Sequence, residues 1–147
     1  MIYSVQKTPE ILNIAKQYAQ ELKLKIVIID QNLKPFVESD YHIRDAGLYE
    51  FVYLLNNANF IVTDSFHGTS FAINLEIPFV VADPKFGRNR ITSLLETVGL
   101  NECLISSMHN ITKTIHNIDF NQSTLLLEEA RSKSLKYIEN ALKSSHK

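Results

Sequence analysis

The sequence lacks several features that would point to a particular class of protein. A single cysteine, Cys103, excludes a disulfide within the 147-residue chain and fits a reducing compartment. The net charge of -1 provides no overall basic field for nucleic acid or anionic lipid. No apolar run approaches the roughly 20 residues that a membrane-spanning helix needs, and the N-terminus lacks the regions of a signal peptide. We therefore expect a cytoplasmic protein.

Compact apolar segments alternate with segments of helical periodicity, and this alternation indicates the fold class. Hydrophobic residues make up 45% of the chain and charged residues 21%, as in globular domains. Strands are predicted at 1–5, 25–30, 59–63, 78–82 and 102–106. Helices are predicted at 9–22, 47–56, 69–75, 90–98 and 121–142, and the polar segment 31–46 is interpreted as a loop. The order predicts one α/β domain over 1–147, with a parallel sheet and helices on both faces.

Particular residues mark where the helices begin, end and pack. Thr8 is predicted to cap the first helix, with Pro9 at its first position, and Gly99 to close the helix that ends near Val98. We expect the strands near 26–29, 60–63 and 78–82 to be neighbours. The last helix has an apolar stripe: Leu127, Ala130, Leu135, Ile138 and Leu142. The first four of these are expected to pack on the domain. Its predicted solvent face carries Glu128, Arg131 and Lys136.

The segment from Phe60 to Leu75 places polar side chains between a buried strand and a helix. In parallel sheets, ligands bind at the carboxyl ends of the strands, where a helix N-terminus offers free N–H groups to an anion. Gly68 lets a ligand approach the backbone, and His67 can transfer a proton near neutral pH. Hydroxyl groups are added by Ser65, Thr69 and Ser70. This pattern favours an anion site with an acid/base residue beside it.

The same residues also suit a purely structural interpretation. Ser65 would then cap the helix, Gly68 would relieve a tight turn, and His67 would be a structural histidine. Asp64 could be a base, could orient His67, or could form the loop. Neither the phosphate loop of nucleotide hydrolases nor the GxGxxG dinucleotide turn is present.

A second group of candidate residues follows the strand at 78–82. Lys85, Arg88 and Arg90 are clustered there, and Arg90 is predicted to begin a helix, where a cation opposes the helix dipole unless it reaches a bound anion. The alternative is a solvated basic loop, which we favour for Lys85.

The remaining reactive side chains form no recognisable site. No metal site is predicted, because four histidines lack metal-ligand spacing with each other or with Cys103: His42, His109, His116 and His146. Cys103 lies in an apolar segment and is expected to be buried rather than reactive.

Three motifs resemble those of the polysaccharide pyruvyl transferase family. They are NANFIVTDSFHGTSFAI at 57–73, IPFVV at 77–81 and NRITSLLETVGL at 89–100. The resemblance covers roughly 47–105. It implies a transferase that moves the pyruvyl group of phosphoenolpyruvate onto sugar hydroxyls as a ketal and releases phosphate. The acceptor would be a saccharide, either free or lipid-linked at the inner face of the membrane, and no cofactor is implied.

The resemblance also implies an architecture and roles for individual residues. Family members resemble two-domain GT-B glycosyltransferases, so this chain looks like the Rossmann-like C-terminal half without its N-terminal domain. His67 is the implied catalytic residue, either as the acid or as a ligand of the donor phosphate. The expected donor-binding residues are Ser65, Gly68, Thr69, Arg90 and Arg88, of which Arg88 has no matching family position.

Two other classes of protein remain open at this point. A glycosyltransferase that uses a nucleotide sugar would need an acidic residue for the ribose, and Glu76 or Glu96 could serve. A non-catalytic binding module would keep the fold and need neither His67 nor Arg90.

Overall fold

The domain is built on a parallel sheet, as seen in a computed structural model that describes residues 1–105 and 118–144. Its six strands have the order β3-β2-β1-β4-β5-β6, and every pair is parallel. The strands are β1 (Ile2–Tyr3), β2 (Val27–Ile29), β3 (Tyr41–Ile43), β4 (Ile61–Thr63), β5 (Phe79–Ala82) and β6 (Leu104–Ile105). The predicted α/β class with a parallel, Rossmann-like sheet is confirmed.

Five α-helices pack on this sheet within the described part of the chain. They are α1 (Pro9–Leu22), α2 (Leu48–Asn56), α3 (Phe66–Asn74), α4 (Arg88–Thr97) and α5 (Phe120–Ser144), with a 3-10 turn at Asn101–Cys103. Thr8 and Pro9 begin α1 as predicted, although the Thr8 side chain makes no capping hydrogen bond. Gly99 follows the end of α4 with a φ of 70°, as a helix-closing glycine should.

The register of the strands explains why their sequences are continuously apolar. Ile2 lies opposite both Ile28 and Val62, and Val62 lies opposite Val80. This row is buried with the apolar face of α1. The intervening residues, such as Ile61 and Val81, face a second core beneath α2, α3 and α4. Both faces are therefore covered, and each fully buried aliphatic side chain contributes roughly 1.5–3 kcal/mol.

Two predictions about the strands need correction. The segment 31–46 is not entirely a loop, because Tyr41–Ile43 forms β3 at the edge of the sheet. Its side chains are exposed or half-buried, so it lacks the apolar run that marks a central strand. In addition, β2 is not a neighbour of β4, because β1 lies between them, while β4 and β5 are neighbours as expected.

The last helix packs over only its first half. Leu127 contacts the second core, and the Thr124 hydroxyl donates a hydrogen bond to Glu76 at 2.9 Å. From Arg131 to Ser144 every residue is exposed, so the helix extends roughly 20 Å past its last core contacts. The prediction that Leu135 and Ile138 pack on the domain is wrong, because they are 60% and 52% exposed.

Candidate functional site

The strand order of the sheet reverses between β1 and β4. From β1 the chain continues to β2 and β3 on one side, whereas β4 leads to β5 and β6 on the other. In open α/β sheets, ligands bind at the carboxyl ends of the strands at this point. Two crevices open here, on either side of the segment 4–7. One, of about 400 Å³, contains His67, and the other, of about 510 Å³, contains Lys7. We call them the His67 crevice and the Lys7 crevice.

Asp64 holds the segment between the two crevices in place. Its buried carboxylate accepts hydrogen bonds from the Ser4 hydroxyl at 2.5 Å, from the Val5 N–H at 2.8 Å and from the Gln6 N–H at 3.2 Å. Of the roles left open by the sequence, the structure therefore supports the loop-forming one.

Gln6 extends this framework to the loop after β5. Its side-chain amide donates a hydrogen bond to the Phe86 carbonyl at 2.9 Å, and its Oε1 accepts one from the Lys85 N–H at 2.8 Å. The loop that precedes α4 is thereby fixed against the loop that follows β1. Sequence reasoning missed Gln6, because the two segments lie 80 residues apart.

Three of the predicted site residues line the His67 crevice together. His67 is the second residue of α3 and is exposed, with its ring 6.1 Å from the ring of Phe66. Arg90 is the third residue of α4, and its guanidinium carbon lies 5.4 Å from the Phe66 ring centroid. Ser65, the N-cap of α3, is 96% buried and also lines the crevice. His67 and Arg90 therefore both lie near the Phe66 ring and line the same crevice.

Gly68 and Thr69 lie behind the crevice rather than on its lining. Helix α3 begins at Phe66, earlier than predicted, so both residues belong to its buried face. A Cβ on Gly68 would lie 2.3 Å from the Thr63 Oγ1 and 3.0 Å from the Tyr3 ring. The Thr69 hydroxyl donates a hydrogen bond to the Ser65 carbonyl at 2.9 Å. Gly68 thus permits close packing of α3 on the sheet, and a donor contact by either residue stays a prediction.

Arg88 does not line the crevice either. It is the first residue of α4, and its Nε lies 3.2 Å from the Asp83 Oδ1. That oxygen is buried and receives no hydrogen bond, so the contact is an ion pair without hydrogen-bond alignment. The Lys85 side chain is exposed, as the solvated-loop interpretation predicted.

The electrostatics of the His67 crevice favour an anion. Neither α3 nor α4 has an acidic residue in its first turn, whereas α1 has Glu10 and α2 has Glu50. The N-terminal turns of α3 and α4 both border the crevice, and Arg90 adds a full positive charge. The nearby carboxylate of Asp64 is buried and already accepts hydrogen bonds from three donors. A bound anion would offset the cost of placing arginine at a helix N-terminus.

The other candidate groups form no centre in the described ranges 1–105 and 118–144. No cluster of histidine, cysteine and acidic side chains there could hold a metal ion. The His42 Nε2 lies 2.9 Å from the Asp30 carbonyl oxygen, and the other three histidines, at 109, 116 and 146, lie outside these ranges. Cys103 is fully buried, and burial raises the pKa of its thiol to about 12, so the expectation of an unreactive cysteine is supported.

Within the described part of the chain, no helix combines the length and apolar character that crossing a bilayer requires.

Comparison with known proteins identifies the family. The family model for polysaccharide pyruvyl transferase matches residues 2–85, which is more than half of the chain. The match begins closer to the N-terminus than the motifs at 57–100 do. It ends before Arg88 and Arg90, so the position of Arg90 at the crevice and of Arg88 outside it is known from the geometry alone. No curated protein and no solved structure gave a significant match. The chain belongs to the polysaccharide pyruvyl transferase family.

Proposed function

We propose that this domain binds the donor of a pyruvyl transferase, which moves the pyruvyl group of phosphoenolpyruvate onto a sugar of a cell-surface polysaccharide. The observation that carries the proposal is the convergence of His67, Arg90 and the first turns of α3 and α4 on one crevice. Phosphoenolpyruvate has a carboxylate and a phosphate. Arginine and free helix N–H groups are the usual partners of both.

The chemistry requires a proton donor beside an anion site. Two hydroxyls of the acceptor sugar lose their protons as their oxygens bond to the central carbon of phosphoenolpyruvate, and the C–O bond to phosphate breaks. In the balance, the methylene carbon gains one proton to become a methyl group, and the leaving phosphate takes up the other. Positive charge builds on the central carbon in the transition state. His67 is exposed to the crevice, and as an imidazolium it could deliver the proton to the methylene carbon. Alternatively, His67 holds the phosphate and stabilises it as it leaves.

The acceptor in this proposal is a saccharide, free or lipid-linked, and much of its site would be supplied by an N-terminal domain of the GT-B type. The reaction would take place in the cytoplasm, at the inner face of the membrane when the acceptor is lipid-linked.

A nucleotide-sugar donor has less support. Neither of the acidic residues considered for a ribose contact lines the His67 crevice. Glu76 instead accepts a hydrogen bond from Thr124, and Glu96 is exposed on α4.

Calorimetric titration of the chain with phosphoenolpyruvate tests the donor assignment. Arg90→Ala should weaken binding by about 1.5–3 kcal/mol, the range for a hydrogen bond to a charged group. Lys85→Ala is the matched control, because it removes a nearby positive charge that does not line the crevice, and it should change the affinity much less. Equal effects of the two substitutions would mean that only diffuse charge attracts the donor.

The role of His67 is tested by turnover in the complete enzyme. His67→Ala should reduce kcat by on the order of a hundredfold or more if His67 is the acid. If it only holds the phosphate, the loss should appear in the KM for phosphoenolpyruvate. Unchanged kinetics would favour a non-catalytic role for this residue.

A further inference from the structure

The Lys7 crevice is the larger of the two openings, and no role has yet been assigned to it. Its volume is about 510 Å³, and it lies at the carboxyl ends of β1 and β2. The side chains of Lys7, Asp30 and Arg44 line it. Tyr3 and Phe51, whose rings are 4.9 Å apart, form an aromatic wall on its lining. Val5 lines both this crevice and the proposed donor site, so the two are adjacent.

The backbone of Lys7 is held in an unfavourable conformation. Its φ is 52°, in the left-handed region that lysine rarely adopts. The conformation is held by its N–H, which donates a hydrogen bond to the Ser4 Oγ at 2.8 Å. Strain of this kind persists only where surrounding contacts enforce it, and it is concentrated at functional sites. Here it places the ammonium group of Lys7 in the crevice.

Asp30 fixes that ammonium group and is itself buried. It accepts hydrogen bonds from the Lys7 Nζ at 2.6 Å, from the Asn32 N–H at 3.2 Å and from the Asn32 side-chain amide at 3.1 Å. Burial opposes its ionisation, but these hydrogen bonds outweigh burial and lower the pKa of Asp30. The Asp30 side chain is only 1% exposed, whereas that of Lys7 is 35% exposed. The donors of Lys7 therefore remain accessible to a ligand, while the carboxylate does not.

Arg44 provides a second accessible cation. It is exposed just after β3 and lines the crevice, and none of the ion pairs found over 1–105 and 118–144 involves it. The N-terminus of α2 is not a free anion site, because the Glu50 carboxylate lies over Gly47. Asp30 is the one acidic side chain among the residues that line the crevice, and it is already paired with Lys7. Arg44 therefore leaves the lining with a net positive charge, which favours an anionic ligand over a neutral one.

We propose that the Lys7 crevice binds the phosphate of a phosphorylated saccharide, with the sugar ring against the wall formed by Tyr3 and Phe51. Lys7 and Arg44 would hold the phosphate, and the aromatic wall would exclude water from one face of the ring. The identification of this saccharide as the acceptor depends on the proposed function. The site would place a phosphate-linked sugar next to the donor, across the segment 4–7.

Residue-resolved NMR of the ¹⁵N-labelled chain can test this site. The probe is glucose 1-phosphate, compared with glucose, in protein already saturated with phosphoenolpyruvate. Glucose 1-phosphate should shift the amide signals of Lys7, Asn32 and Arg44, and glucose should not. In this proposal Lys7 and Arg44 recognise the phosphate. The stereochemistry of the probe's sugar ring therefore need not match that of the natural saccharide. No shift at millimolar probe, or equal shifts with both sugars, would overturn the proposal.

Substitutions identify the groups responsible. Arg44→Gln changes an exposed side chain and should leave the fold intact, yet weaken binding of glucose 1-phosphate roughly tenfold. Lys7→Met should weaken it similarly if the variant folds. Lys34→Gln, a matched change at an exposed lysine outside both crevices, should have little effect. An unchanged affinity in Arg44→Gln would overturn the proposal.

The same experiment separates this inference from the proposed function. Arg90→Ala should reduce the affinity for phosphoenolpyruvate without reducing the shifts caused by glucose 1-phosphate at Lys7. If phosphoenolpyruvate displaces the sugar phosphate from the Lys7 crevice, then the two ligands share one site and the inference fails. If phosphoenolpyruvate does not bind but the sugar phosphate does, the proposed donor site fails and this one stands.

Discussion

Replacing Gly68 with alanine should destabilise the domain, although alanine is the better helix former. The new Cβ would lie 2.3 Å from the Thr63 Oγ1 and 3.1 Å from the Thr63 Cβ. Thr63 is fully buried and cannot move freely. Its hydroxyl donates a hydrogen bond to the Tyr3 carbonyl at 2.6 Å and accepts one from the Ser65 N–H at 3.1 Å.

The magnitude follows from these contacts. Overpacking a well-packed site costs about 1–3 kcal/mol, and each of the two hydrogen bonds is worth about 0.5–1.5 kcal/mol. The higher helix propensity of alanine offsets at most about 1 kcal/mol of this destabilisation. A net loss of roughly 2–4 kcal/mol is expected, which for a chain of this length lowers Tm by about 5–15 °C.

Urea unfolding followed by circular dichroism measures this loss. Ser70→Ala, on the same helix but outside the tight contact, should cost much less and serves as the control. Thr63→Ala combined with Gly68→Ala should recover part of the loss, because the clashing hydroxyl is then gone. An unchanged unfolding midpoint for Gly68→Ala would refute the packing role of this glycine.

Three further predictions concern Leu135, Cys103 and Asp30. Leu135→Asp should change the stability of this chain by no more than about 0.5 kcal/mol in a thermal melt, because Leu135 is exposed; a loss of several kcal/mol would show that it packs on something. Cys103 should not react with a disulfide reagent at pH 8 until the protein is unfolded, because burial raises its pKa to about 12. The lowered pKa of Asp30 stabilises the fold above the unfolded-state pKa of about 4, and this contribution should be lost as pH falls through the lower folded-state value. Urea unfolding between pH 7 and pH 3 should show a smaller acid loss for Asp30→Asn than for the unmodified chain, and equal losses would contradict the assignment.

The parts of the fold that could be predicted from the sequence are those with strong local signals. β4 and β5 are covered on both faces, so they show as unbroken apolar runs, and Pro9 and Gly99 mark helix ends through their backbone preferences. β3 was missed because an edge strand with exposed residues such as Tyr41 has no such run. In the second half of α5 the sequence signal was present but the packing was not. The apolar stripe there indicates an amphipathic helix, but it does not indicate which surface the stripe packs against.

The candidate site was only partly predictable for a similar reason. His67 and Arg90 were found because each follows a buried strand, and carboxyl ends of parallel strands meet at one edge. The role of Gly68 could not be separated from ligand approach, because the Thr63 hydroxyl that it accommodates becomes a neighbour only after folding. The left-handed Lys7 and the three donors to Asp64 have no sequence signature, since they depend on contacts between distant segments.

A crystal structure of the chain with phosphoenolpyruvate bound tests the central claim most directly. The claim predicts the ligand in the His67 crevice, with one anionic group within hydrogen-bond distance of the Arg90 guanidinium and the other near His67 and the first N–H groups of α3. Phosphoenolpyruvate bound in the Lys7 crevice, or in the His67 crevice without contact to Arg90 and His67, would contradict it.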